Sequence, residues 1–182
     1  QYLYDKDRWE PCKVDRVLED KDEVKLGGVT LVAHKTPGHT RGCTTWAWKV
    51  TDGDKKYDVV VIGSPNVNPG YQLVGNKAYP KIADDFAKTF TVLQSLPCDI
   101  FLGAHGDYYG MLAKHDRLAN DPTAFIDPAG YRAYVGPYDS VDVRGSITPS
   151  GYKRVEAEFL APRLFDRRGV LSHEAAQRRL AQ

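Results

Sequence analysis

Apolar and polar positions alternate along much of the first sixty residues, which is the period of a half-buried strand. Val14-Asp15-Arg16-Val17-Leu18 and Glu23-Val24-Lys25-Leu26 show it first. Gly27-Gly28 then joins the second of these to Val29-Thr30-Leu31-Val32-Ala33-His34, as the turn of a hairpin does. A further hairpin is predicted from Thr44 to Val50, through Asp52-Gly53-Asp54, and back along Tyr57 to Ile62. Within it Val59-Val60-Val61-Ile62 is apolar throughout, which predicts a strand covered on both faces. From Gly63 to Gly75 the chain is rich in Gly, Pro and Asn and has no period; a loop of that length inside a compact domain is usually functional.

The period changes at Pro80, which opens a helix. Ile82, Phe86, Phe90, Leu93 and Leu96 recur at helical spacing, with Asp84, Asp85 and Lys88 on the other side. Pro97 stops that helix, Asp99 to Ala104 reads as a short buried strand, and Met111 to Asn120 reads as helical. Hairpins giving way to a helix, a strand and more helices predict an α+β fold in layers, not a βαβ repeat. In the tail, Asp127-Pro128-Ala129-Gly130-Tyr131-Arg132 is echoed by Thr148-Pro149-Ser150-Gly151-Tyr152-Lys153. Between these, Gly136 to Gly145 reads as linker, and Ser172 caps a last helix through Arg179.

Length and composition narrow the class. The 182 residues suffice for one domain with a core and are too few to argue for two. Hydrophobic residues at 42% and charged residues at 27% are the balance of a globular protein. A net charge of +1, with Lys and Arg scattered among Asp and Glu, gives no electrostatic case for nucleic acid or membrane as partner. No apolar run approaches a membrane span. Gln1-Tyr2-Leu3-Tyr4-Asp5 lacks the basic-then-apolar order of a signal peptide. Cys12, Cys43 and Cys98 have no metal-binding spacing and read as buried small apolar residues.

The candidate chemistry lies with two of the five histidines. His39 follows a strand in Thr36-Pro37-Gly38-His39-Thr40, where a Pro-Gly turn projects the next side chain from the sheet rim. His105 follows another strand in Gly103-Ala104-His105-Gly106. Imidazole is a common zinc ligand, and two rim histidines could converge on one metal. Taken alone, a histidine at a strand end is more often a polar surface residue than a ligand. His34 reads as a half-buried or surface strand residue, and His115 and His173 as solvated.

Thr36-Pro37-Gly38-His39-Thr40, followed by Gly42-Cys43-Thr44-Thr45-Trp46, resembles the metallo-β-lactamase superfamily, and most of all its third subclass. The same subclass is matched by Gly63-Ser64 with Val67-Asn68-Pro69-Gly70-Tyr71-Gln72-Leu73, by Tyr79-Pro80-Lys81-Ile82, and by Leu96-Pro97-Cys98-Asp99-Ile100-Phe101-Leu102-Gly103-Ala104-His105. The resemblance runs from about Pro11 to about Val135 and divides the chain. Residues 1–135 look like the C-terminal portion of such a domain, and 136–182 like an atypical tail with linker and helices. It implies part of a four-layer αββα sandwich: the C-terminal half plus central strands.

The resemblance also implies hydrolysis of the β-lactam amide at two zinc ions, with a β-lactam as partner and a periplasmic or secreted location. By analogy His39 would hold the first zinc and His105 the second. Ser64 and Asn66, with Asn68 as a lesser candidate, would bind the substrate carboxylate, and the Tyr71 phenol would assist at the oxyanion. Ser64 stands where glyoxalase-type relatives carry a metal-bridging aspartate, which speaks against a thioesterase or lactonase. The family's His-x-His-x-Asp-His segment, source of most of its zinc ligands, does not occur in this sequence. That predicts an incomplete metal site, a missing N-terminal half or self-association, and leaves a non-catalytic remnant or assembly subunit as a rival. Relatives pair the cysteine at Cys98 with one near Tyr131; here that disulfide has no partner.

Overall fold

The computed structural model describes residues 13–68 and 70–136, together with the backbone of 142–147 and 153–158. Five strands form one sheet in the order of the chain: β1 Glu23–Leu26, β2 Val29–Lys35, β3 Thr44–Asp52, β4 Lys55–Ile62 and β5 Ile100–Gly103. The first three junctions are antiparallel hairpins, and β4 pairs with β5 in parallel after a crossover through α1, Ile82–Ser95. β4 is flanked on both edges, and Val59, Val60 and Ile62 are buried, as its unbroken apolar run predicts. The layers are those of an α+β fold.

Helix α1 begins at Ile82, two residues after Pro80, and carries Asp84 and Asp85 in its first turn, where they favour the helix dipole. Its apolar stripe does two jobs. Leu93 joins Val60, Ile62 and Phe101 of the sheet with Tyr131, Tyr134 and Val135 of α3, Pro128–Val135. Ile82, Phe86 and Phe90 hold Leu73 of the long loop, with Val67 and Tyr71 against them. Phe86 also sits beneath Gly38, where an added Cβ would lie 2.7 Å from the ring; Gly38 has φ +134°, so a side chain there would meet both strain and collision. The Thr89 hydroxyl donates to the Pro37 carbonyl at 2.6 Å. The helix therefore fixes the turn that carries His39.

Between β5 and α3 lie a 3₁₀ turn, Gly106–Tyr108, and α2, Met111–Arg117, which ends short of the expected Asn120. Lys114 of α2 is only 6% exposed, with its ammonium 2.9 Å from Asp127 Oδ2. Asp127 is also the N-cap of α3, accepting from the Gly130 N–H at 2.7 Å. Burial works against ionisation of its carboxyl, but Lys114, the Gly130 N–H and Arg117 together hold it below the usual range. Asp127→Ala strands a buried ammonium and removes a cap, and is expected to cost about 3 kcal/mol in denaturant unfolding, the low end for a broken buried pair because Asp127 keeps some solvent contact. Lys114→Met in the same chain should recover part of that loss. Because the folded value is lowered, the contribution is complete above about pH 4 and fades as pH falls through the lowered value.

Two stretches differ from the expectation. Residues 13–19 form no strand, and Val14 and Val17 are 66% and 77% exposed. Three residues apart, those valines point to opposite faces of a strand, so the alternation there marks no single apolar side. Asp142–Ile147, whose first residues were expected to be linker, forms β6 and pairs antiparallel with β7, Lys153–Glu158, as a separate two-stranded sheet. Its backbone register runs from Asp142 opposite Glu158 to Ile147 opposite Lys153, a pairing that composition alone does not reveal. The helix expected from Ser172 lies outside the described residues, as do Cys12 and Pro69.

Candidate functional site

The sheet gathers its loops at one end. Lys35 at the end of β2 pairs with Thr44 at the start of β3, Trp46 pairs with Val61, and Ile62 and Gly103 close β4 and β5 together. The His39 turn, the loop after β4 and the His105 turn therefore leave from the same rim, where enzymes of layered folds collect functional groups.

His39 is half-buried there, and its Nδ1 lies 2.8 Å from the carbonyl oxygen of Asn66. A carbonyl only accepts, so Nδ1 carries a proton, and the neutral ring then has its lone pair on Nε2, the tautomer a metal ligand or a base requires. The Tyr71 hydroxyl donates to the His39 carbonyl at 2.9 Å, and its ring lies 5.8 Å from the imidazole. As placed, Tyr71 holds the His39 segment. The Tyr71 N–H bonds the Asn68 carbonyl at 3.0 Å, in a turn completed by Gly70 at φ +90°. Asn68 thus shapes the loop through its backbone.

Ser64 and Asn66 converge on a residue that sequence reasoning did not single out. Tyr108 places its hydroxyl 3.1 Å from Ser64 Oγ and 3.1 Å from Asn66 Nδ2. Its ring lies 5.2 Å from that of His105 and 5.2 Å from that of Tyr134, and its N–H bonds the His105 carbonyl. Gly103 makes room, since a Cβ there would sit 2.8 Å from the Tyr108 ring. Burial raises the Tyr108 phenol above its usual pKa, only partly offset by Ser64, so it stays protonated at neutral pH. His105 itself is exposed at the rim. The contacts thus connect His39, Asn66, Ser64, Tyr108 and His105, with Tyr71 behind His39 and Asn68 joined only through the loop backbone.

No family model matches the chain. Solved structures do. The native FEZ-1 metallo-β-lactamase from Legionella gormanii is 46% identical with a TM-score of 0.70, the match covering 74% of this chain and 53% of that one. BJP-1, a subclass B3 metallo-β-lactamase of Bradyrhizobium japonicum, is 38% identical at a TM-score of 0.64, covering 70% and 48%. The class B3 di-zinc metallo-β-lactamase LRA-12, from an Alaskan soil metagenome, is 30% identical at 0.64, again covering 70% and 48%. The chain belongs to the metallo-β-lactamase superfamily. Within it the likeness runs to subclass B3, and the fold is part of the metallo-β-lactamase fold. The chain spans about half the length of these relatives.

A metallo-β-lactamase needs a zinc site, and the donors among the described residues fall short of one. Among the described residues no group of three or more His, Cys, Asp and Glu is gathered to hold a metal ion. His39 and His105 supply two imidazoles, whereas a catalytic zinc takes three protein ligands and an open position. The other described histidines, His34 and His115, do not make up the shortfall. Contrary to the half-buried or surface placement expected of it, His34 is 7% exposed, with Nδ1 2.7 Å from Lys21 Nζ. Burial and then the Lys21 charge lower its pKa. His115 is exposed on α2.

The cysteines also depart from expectation: Cys43 and Cys98 are free and half-buried, not fully buried. The Cys98 thiol is pushed up to about 12 by burial, so it is a poor nucleophile at neutral pH. Tyr131 fills its own position in the core, its hydroxyl donating to the Leu93 carbonyl at 2.7 Å. No helix among the described residues is long and apolar enough to cross a membrane.

Proposed function

We propose that this chain is the part of a zinc β-lactamase that recognises the substrate and supplies two of its metal ligands, His39 and His105. The reaction is hydrolysis of the β-lactam amide, in a protein that works in the periplasm or is secreted. The observation that carries this reading is that Ser64 and Asn66 both bond the Tyr108 hydroxyl at the rim that also carries both histidines. Hydroxyl and amide donors side by side suit a carboxylate, which every bicyclic β-lactam presents beside the bond to be cut. His39, its Nδ1 held by the Asn66 carbonyl, suits a ligand through Nε2. Asn68 and Tyr71 shape the loop around these groups.

The test is made in a protein in which this chain is joined to a segment bearing the remaining ligands. Hydrolysis of a chromogenic cephalosporin should then be sensitive to chelator. His39→Ala and His105→Ala should each lower it by more than the roughly 10–100-fold that loss of an outer-shell partner costs. Turnover of a thioester or lactone in place of the cephalosporin would reject the reading. A second reading, a non-catalytic segment that keeps the fold, is favoured by the two-imidazole donor set, and no bound zinc in the joined protein would establish it.

A further inference from the structure

Tyr108 makes one contact whose direction has a chemical consequence. Its hydroxyl has one proton and can accept, whereas Asn66 Nδ2 can only donate. The 3.1 Å bond from Asn66 therefore uses a lone pair of the Tyr108 oxygen. The remaining neighbour, Ser64 Oγ at 3.1 Å, is then the acceptor for the phenol proton; the opposite polarity would leave that proton unpaired in a half-buried place. With Ser64 Oγ accepting from Tyr108, its own proton is directed elsewhere. One Nδ2 proton of Asn66 is likewise left over.

We propose that Tyr108 is a positioning residue that sets hydrogen-bond polarity at the rim, so that Ser64 and Asn66 both present protons outward and select an anionic group of the ligand. This rests on the β-lactam reading above for the identity of that anion, the substrate carboxylate. Tyr108 is well placed for the task. Its ring is wedged by Gly103 and Tyr134, and its backbone is tied to His105, so the hydroxyl has little freedom to follow the ligand. Tyr108→Phe keeps the ring and its packing and removes only the hydroxyl.

The experiment compares binding of a cephalosporin and of its methyl ester by equilibrium dialysis to the wild-type chain, Tyr108→Phe, Ser64→Ala and the double variant. The donor set here predicts that the lactam survives the measurement. A hydrogen bond to a charged group is worth about tenfold or more in affinity. Tyr108→Phe is expected to weaken the carboxylate by about tenfold, to leave the ester unchanged, and to combine less than additively with Ser64→Ala. The side-chain amide resonances of Asn66 should shift in the same variant without any ligand. Equal weakening of acid and ester, or unchanged affinity for the acid, overturns the proposal. A wild-type chain that does not prefer acid to ester overturns the β-lactam carboxylate as the anion. In that case the Asn66 resonances decide separately whether Tyr108 sets the polarity: a shift upholds it and no shift rejects it.

Discussion

Given zinc and a chromogenic cephalosporin, the 182-residue chain by itself is expected to show no turnover above the uncatalysed rate. Hydrolysis of an amide at neutral pH is limited by hydroxide. Free water ionises with a pKa near 15.7 and water on a catalytic zinc near 7, a difference of about eight orders of magnitude in available nucleophile. Nothing Ser64, Asn66 or Tyr108 contributes by binding approaches that factor, since each well-placed hydrogen bond is worth about tenfold to a hundredfold. The metal would have to be held by His39, His105 and groups that the described residues do not bring near them. The check is a zinc titration followed by assay with and without chelator. Steady turnover, abolished by chelator and restored by zinc, would overturn the expectation. It would direct attention to His115 before His34, whose Nδ1 already faces Lys21.

What the sequence disclosed and what it did not follow from the range of the interactions involved. β1 to β4 rest on alternation and on turns whose partners are adjacent, and α1 rests on a stripe within fourteen residues; such signals are local. The same logic failed for Val14–Leu18, where alternation lacked a consistent face, and for the β6–β7 pair, where a glycine-containing strand passed for linker. His34 was misjudged because a strand's period separates its two faces without saying which is covered. The site shows the same division. His39 and His105 could be picked out by their position after strands, and Ser64 and Asn66 by resemblance, but Tyr108 reaches them from 44 and 42 residues away. That meeting depends on the parallel register of β4 and β5, which no local pattern encodes. The one cue was the run Gly103-Ala104-His105-Gly106, whose first glycine permits close approach by a ring that follows.

The isolated chain is further expected to sediment as a dimer or larger species. Register assigns Val32, Ala47, Val60 and Phe101 to one face of the sheet, and Ala33, Trp46, Val61 and Leu102 to the other. The first face meets Leu93, Tyr131 and Tyr134. On the second, Ala33 and Val59 are buried, but Trp46, Trp48, Val61, Ile100 and Leu102 are only half-buried, although all are apolar. A layered fold requires cover on both faces of such a sheet. A contiguous apolar patch above roughly 400–600 Å² is uncommon on a monomer. At about 25 cal/mol per Å², covering one of that size is worth on the order of 10 kcal/mol, comparable to the whole stability of a domain. Pairing through this face, with a second copy or with a companion segment, removes that penalty. Sedimentation velocity and intact mass on one sample decide the matter: a monodisperse monomer of 20.4 kDa with a cooperative melt overturns the expectation. It would mean that the chain covers the second face with its own residues, and that the half-burial of Trp46 and Trp48 is already the finished state of that face.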